Sequence, residues 1–127
     1  MFLPAAAVAV GALLVLADMR YEHWDVIKRA EALTGGNSNR GKHLFVQYGC
    51  GGCHAVKGVP GAAGLVGPPL DGVAVRSIIG GRLDNNPDNL ERWIVDPQAV
   101  SPGTAMPRLG VTPGDSRDIA AFLYTRT

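Results

Sequence analysis

The chain has 127 residues, with 12 Lys and Arg against 11 Asp and Glu, so its formal charge is only +1, and no basic stripe supports nucleic-acid binding. Glycine (17) and proline (9) are abundant and aromatic residues make up 6%, which leaves little room for regular sheet. A body of roughly 90 to 110 residues is one small domain that buries only about 60 to 65% of its unfolded surface, so it calls for disulfides, a metal or a large cofactor to complete its core.

Residues 1–17, MFLPAAAVAVGALLVLA, carry no charge. As a helix they reach about 25 Å, against a hydrocarbon core of about 30 Å, and Tyr21, Trp24 and a snorkelling Arg20 suit a membrane interface. An anchor over 1–19 is expected, with a signal peptide cleaved after Ala17 as the alternative. Arg20, Lys28 and Arg29 follow the apolar run, which taken alone places the C-terminal side in the cytoplasm. Asp18, Glu22, Asp25 and Glu31 offset those cations.

Tyr21, Trp24, Ile27, Ala30 and Leu33 recur every three positions and predict one apolar helix face between Arg20 and Leu33, ended by Gly35-Gly36, with Asn37-Ser38-Asn39 as link or cap, so that 20–38 is a juxtamembrane helix and linker. The domain is expected over 39–127. Its first helix runs from Arg40 to about Tyr48, with Leu44 and Phe45 inward and Gly49 as the stop. The stretch from Ala55 to Ile79 has no sustained period and reads as loop wrapped on something apolar. Asn86-Pro87 opens a helix with Leu90, Trp93 and Ile94 inward, and Asp96-Pro97 ends it. Thr112-Pro113-Gly114-Asp115 starts a last helix that carries Ile119, Phe122 and Leu123 inward.

Cys50-Gly51-Gly52-Cys53-His54 holds both cysteines of the chain. Cys-x-x-Cys can be a redox dithiol, half a zinc site, a strained disulfide or a haem attachment. Zinc would need further ligands, yet His23 and His43 are the other histidines, and a redox dithiol would want a βαβ frame that is not readable. Thiols at this spacing can add across the two vinyl groups of one haem, with the imidazole of His54 beneath the iron and small Gly51 and Gly52 at the porphyrin edge. An electron carrier needs a second axial ligand. Met1 and Met19 belong to the anchor region, which leaves Met106, in a proline-stiffened loop, as the ligand rather than core filler. His43 reads as an exposed helix residue.

Gly41-x-x-x-Phe45, Cys50 to His54, Gly67-Pro68-Pro69-Leu70, Leu90-x-x-Trp93-Ile94-x-x-Pro97, Met106-Pro107 and Ile119-x-x-Phe122-Leu123 together resemble the class I monohaem cytochromes c. The resemblance implies an all-α fold of three to five helices wrapped around one haem c, here preceded by the transmembrane helix. It implies that the first and last body helices cross near Gly41, Phe45, Ile119 and Phe122. Pro68 would accept the ring N–H of His54 through its carbonyl, Leu70 would pack on the haem, Trp93 would lie on the methionine side, and Arg76 would meet a propionate. Leu70 and Trp93 also read as ordinary core, and Arg76 as a solvated surface charge.

The loops from Gly67 through Trp93-Ile94-Val95-Asp96-Pro97-Gln98 to Met106-Pro107 are similar to the cytochrome domains of haem-copper terminal oxidases. That implies a single-pass protein of a bacterial inner membrane with its haem on the periplasmic side, partnered by lipid and by a respiratory complex. The alternatives are a free electron shuttle, docking other redox proteins through Val59, Pro60, Ala62, Ala63 and Val66, and a haem enzyme or gas sensor, which would need an open iron position.

Overall fold

The computed structural model describes residues 3–127; Met1 and Phe2, the start of the expected anchor, lie outside them. Helix α1 (Leu3–Thr34) is unbroken for 32 residues, about 48 Å at 1.5 Å per residue. By length and composition it is long and apolar enough to cross a membrane, and none of its apolar stretch is buried in protein. Leu13 and Leu14 stand 66% and 67% exposed.

The foot of α1 rests on the last helix, α5 (Pro113–Leu123), but not through the five-residue face that the sequence predicts. Ala30 and Thr34 are buried and Ile27 is partly so, whereas Tyr21, Trp24 and Leu33 stay exposed. The reason is geometric. Each step of three residues falls about 60° short of a full turn, so Tyr21 and Leu33 lie far round the cylinder from one another, and the contact stripe follows 27, 30 and 34 instead.

Gly35, at φ +71°, turns the chain out of α1 in the left-handed conformation that glycine adopts without strain. Asn37 then caps α2 (Ser38–Gln47), its side chain accepting from Arg40 N at 2.8 Å. The joint is tied twice more. Ser38 donates through N and Oγ to Glu31 Oε1 (3.0 and 3.1 Å), and Asn37 N donates to Asp118 Oδ1 on α5 (2.7 Å).

Helices α2 and α5 cross where the resemblance implied. Phe45 and Phe122, both almost fully buried, meet edge to face with ring centroids 5.6 Å apart, a geometry that contributes about 0.5–1.5 kcal/mol beyond burial. A Cβ on Gly41 would overlap the Asp118 carbonyl, backbone that cannot yield without parting the two helices. Gly41→Ala is therefore expected to lower urea-unfolding stability by roughly 1–3 kcal/mol, while Lys42→Ala, at an exposed neighbour, stays near wild type.

Thr112 caps α5 by accepting from Asp115 N (3.1 Å), but Asp115 does not close a capping box: its carboxylate accepts from Tyr48 Oη (2.7 Å) at the end of α2. Between α2 and α5, the chain from Ala55 to Ser77 is loop but for a single 3₁₀ turn at Val73–Val75, with Val56, Val59 and Ala62 buried. Two features there depart from the sequence reading. Ile78–Ile79 (β1) pairs antiparallel with Leu83–Asp84 (β2), and Asp96, the stop of α3 (Pro87–Val95), also caps a one-turn helix α4 (Pro97–Val100). Neither is long enough to show a period; only Gly80-Gly81, both at positive φ, marks the ribbon.

Candidate functional site

The turn at the end of α2 places the two cysteines. Gly49, at φ +77°, breaks the helix and Cys50–Gly52 forms a single 3₁₀ turn, closed by Cys53 N and His54 N donating to the Cys50 carbonyl (3.2 and 3.0 Å). Cys50 and Cys53 are not joined to each other by a disulfide. Burial pushes the Cys50 thiol up to about 11, against a lowering backbone hydrogen bond. Gly51 is required by protein, since a Cβ there would come within 2.8 Å of Ala62 Cα, whereas Gly52 borders open space.

His54 is fixed by the segment that follows. Gly67 N donates to Cys53 O (2.8 Å) and Leu70 N to Ala55 O (2.9 Å), which carries Pro68 to the imidazole. His54 Nδ1 donates to the Pro68 carbonyl at 2.8 Å. A carbonyl can only accept, so the proton sits on Nδ1 and Nε2 keeps a free lone pair. A Cβ on Gly67 would run into the His54 ring.

Across the cleft, α3 supplies Leu90, Trp93 and Ile94, and the ribbon turn lies against Trp93 so closely that a Cβ on Gly80 would strike the indole. Met106 enters from the loop after α4, half-buried. Arg76 borders the cleft and donates to the carbonyl of Pro69. Its loop is braced by Asn85, which donates to Val73 O and Arg76 O (2.9 and 2.8 Å) and accepts from Tyr124 Oη (2.7 Å). Burial, with Glu91 nearby, pushes the Tyr124 phenol up to about 12, which keeps it a donor.

A second brace joins the C-terminus to the loop: Arg126 donates to Lys57 O (2.7 Å) and pairs with Asp71 (3.1 Å), and Lys57 N donates to the same carboxylate. Burial alone would raise the Asp71 carboxyl, but the Lys57 N–H and the Arg126 guanidinium overcome it and hold the pKa below the ordinary 3.8. A depressed carboxyl stabilises the fold above the unfolded pKa and loses that contribution as pH falls through the folded one. Acid unfolding followed by circular dichroism below about pH 4 is therefore expected to start at higher pH in Arg126→Ala.

Cys50, Cys53, His54, Pro68, Leu70, Arg76, Trp93 and Met106 all border one mainly apolar cleft of ≈ 510 Å³. Its donor set fits a haem. Two adjacent thiols, an imidazole with a free lone pair and a thioether face apolar walls, and among the described lining residues Arg76 is the one charged side chain. No group of three or more His, Cys, Asp and Glu stands together among the described residues, which leaves a zinc cage without ligands. Sequence reasoning places Gly67 and Gln98 in matching motifs without assigning either a role, and it misses Gly80 and Asn85. The glycines act by lacking a Cβ and the amides by reaching carbonyls distant in sequence, and no local pattern reports either. Of the apolar rim expected at Val59, Pro60, Ala62, Ala63 and Val66, Val59 and Ala62 are buried in the loop's own core, whereas Pro60, Ala63 and Val66 (71%) are exposed, with Leu65 (90%) beside them.

Comparison with known proteins agrees with this geometry. Residues 38–127 match the family model of cytochrome c. The chain is 37% identical over 106 residues to cytochrome c oxidase subunit 2 of Alkalihalophilus pseudofirmus, covering 82% of this chain and 30% of that protein. It is 28% identical over 91 residues to the Bacillus subtilis protein of the same name, covering 70% and 26%. The chain thus spans less than a third of the length of these curated relatives, and no solved structure matches it. An all-α body matched over most of the chain, with the His54 ring turned by a backbone carbonyl toward a cleft shared with both thiols, places this chain in the cytochrome c family.

Proposed function

We propose that the chain is a membrane-anchored, single-haem electron carrier that donates to, or is part of, a terminal oxidase. Cytochromes c bind haem c and transfer electrons, and the haem, when bound, supplies the one-electron couple. In the proposed site Cys50 and Cys53 would hold it covalently, and His54 Nε2 and the Met106 thioether would bind its iron. The observation that carries the reading is the Nδ1 hydrogen bond to Pro68: it fixes the tautomer, leaves Nε2 free on the cleft side and makes the imidazole more basic. A soft thioether on the iron would favour the reduced state. Leu70 and Trp93 keep water from the cleft, and Arg76 is placed to meet a carboxylate of the cofactor.

The apolar helix α1 and the similarity to oxidase subunit 2 support the membrane address, with the body on the periplasmic side, where covalent haem attachment takes place. The foot of α1 packs on α5 and the joint after it is tied to Asp118, contacts that would favour a fixed partner over a diffusing one. Affinity purification from detergent-solubilised membranes is expected to recover oxidase subunits. A soluble monomer beginning at Asp18 as the sole product would instead establish the free shuttle.

A further inference from the structure

Met106 reaches the cleft from a loop that has no regular structure of its own. Ser101-Pro102-Gly103-Thr104 makes a turn closed by Thr104 N donating to Ser101 O (3.0 Å), with proline and a glycine at φ +84° in the central positions, as a type II turn requires. That turn fixes the start of the loop and not residue 106. Asp96 and Arg108 lie 3.7 Å apart across the loop's two ends, a partly exposed pair that holds them only loosely.

Gln98, on α4, does what these do not. Its Nε2 donates to both the Thr104 and Met106 carbonyls at 2.8 Å, and its Oε1 accepts from Gly103 N at 3.1 Å. The amide can sit only this way round, since carbonyls accept and the N–H donates. One side chain therefore spans the loop and binds the backbone of Met106 itself, and α4 supports it through the Asp96 cap on Ala99 N (3.0 Å). We propose that Gln98 is a positioning residue that clamps the Met106 loop and so keeps the thioether against the iron when a competing ligand is present. The inference rests on the reading of Met106 as axial ligand and deepens it.

Loss of the clamp frees the loop to swing out, and an external ligand then takes the vacated position. Each hydrogen bond lost weighs about a factor of five in that competition, so a variant lacking both donated bonds is expected to bind imidazole, as the oxidised holoprotein, on the order of tenfold or more tightly than wild type. Gln98→Met keeps the shape of the side chain and removes its hydrogen bonds. Gln98→Glu keeps the acceptor for Gly103 N but turns a carboxylate toward two carbonyls. Both are expected to tighten imidazole binding and to weaken the thioether-to-ferric charge-transfer band. If Gln98→Met behaves as wild type, Gln98 is merely packing and the proposal is overturned. Met106→Ala separates the two levels: if the charge-transfer band survives that substitution, the ligand assignment itself fails. If the band is lost there while both Gln98 variants match wild type, only the clamp fails.

Discussion

Replacing both Cys50 and Cys53 by serine is expected to leave no haem on the denatured chain and to cost the body its fixed tertiary structure. The core wraps a cleft rather than filling it: Phe45, Leu90, Ile94, Ile119 and Leu123 belong to the buried cluster and also line the cleft. Residual cavities cost about 24 cal/mol per Å³, so ≈ 510 Å³ left unfilled would cost at most about 12 kcal/mol. A domain of this size has about 5–15 kcal/mol of stability in total. A cost of that order would take up most of that stability, so the unfilled body is expected to lose its fixed packing. A haem stain on a denaturing gel should be blank, and near-ultraviolet circular dichroism should be flat while helical signal partly survives. A double variant that melts cooperatively at the wild-type temperature without haem would show that the core does not depend on the cofactor.

Gly67→Ala is expected to be nearly as damaging, although it adds one methyl group. The added Cβ would lie 2.6 Å from His54 Nδ1 and 2.8 Å from Nε2, closer than real carbon contacts. The ring cannot retreat freely, because Nδ1 is tied to Pro68, the residue next to the substitution. Either the imidazole tilts and loses that bond or the 67–70 segment shifts. Overpacking costs about 1–3 kcal/mol and the lost hydrogen bond about 0.5–1.5 more. A mixed high-spin ferric spectrum and a lowered melting temperature are the expected readouts. Gly114→Ala, at a position with open space and no positive φ, is the control and should be close to neutral. An unperturbed low-spin spectrum in Gly67→Ala would mean that His54 is not held as described.

The parts of this molecule that the sequence announces are those with local causes. Asn86-Pro87 and Thr112-Pro113 cap their helices through hydrogen bonds three residues away, so a five-residue window contains the whole mechanism. Phe45 and Phe122 lie on clean helical stripes, and their meeting follows once the family resemblance supplies the crossing. The Cys50 to His54 turn is likewise complete in itself. What stayed hidden has causes distant along the chain. Asn85 matters because Tyr124, 39 residues on, reaches it, and Asp118 matters because it seals a joint 81 residues earlier. Gly67 and Gly80 carry no side chain to read, and their role is the space that His54 and Trp93 occupy. The foot of α1 departs from the sequence expectation for a different reason. A strict spacing of three drifts round a helix of 3.6 residues per turn, so Tyr21 and Trp24 parted from Ala30.

The covalently held haem is the claim on which the rest depends, and a mass measurement reaches it most directly. Purified protein is denatured in acid, digested with trypsin and weighed, with attention to peptide 43–57, which contains Cys50, Cys53 and His54. The expected mass is that of the peptide plus one haem, with neither cysteine open to alkylation. A peptide of unmodified mass that takes up two alkyl groups would contradict the account.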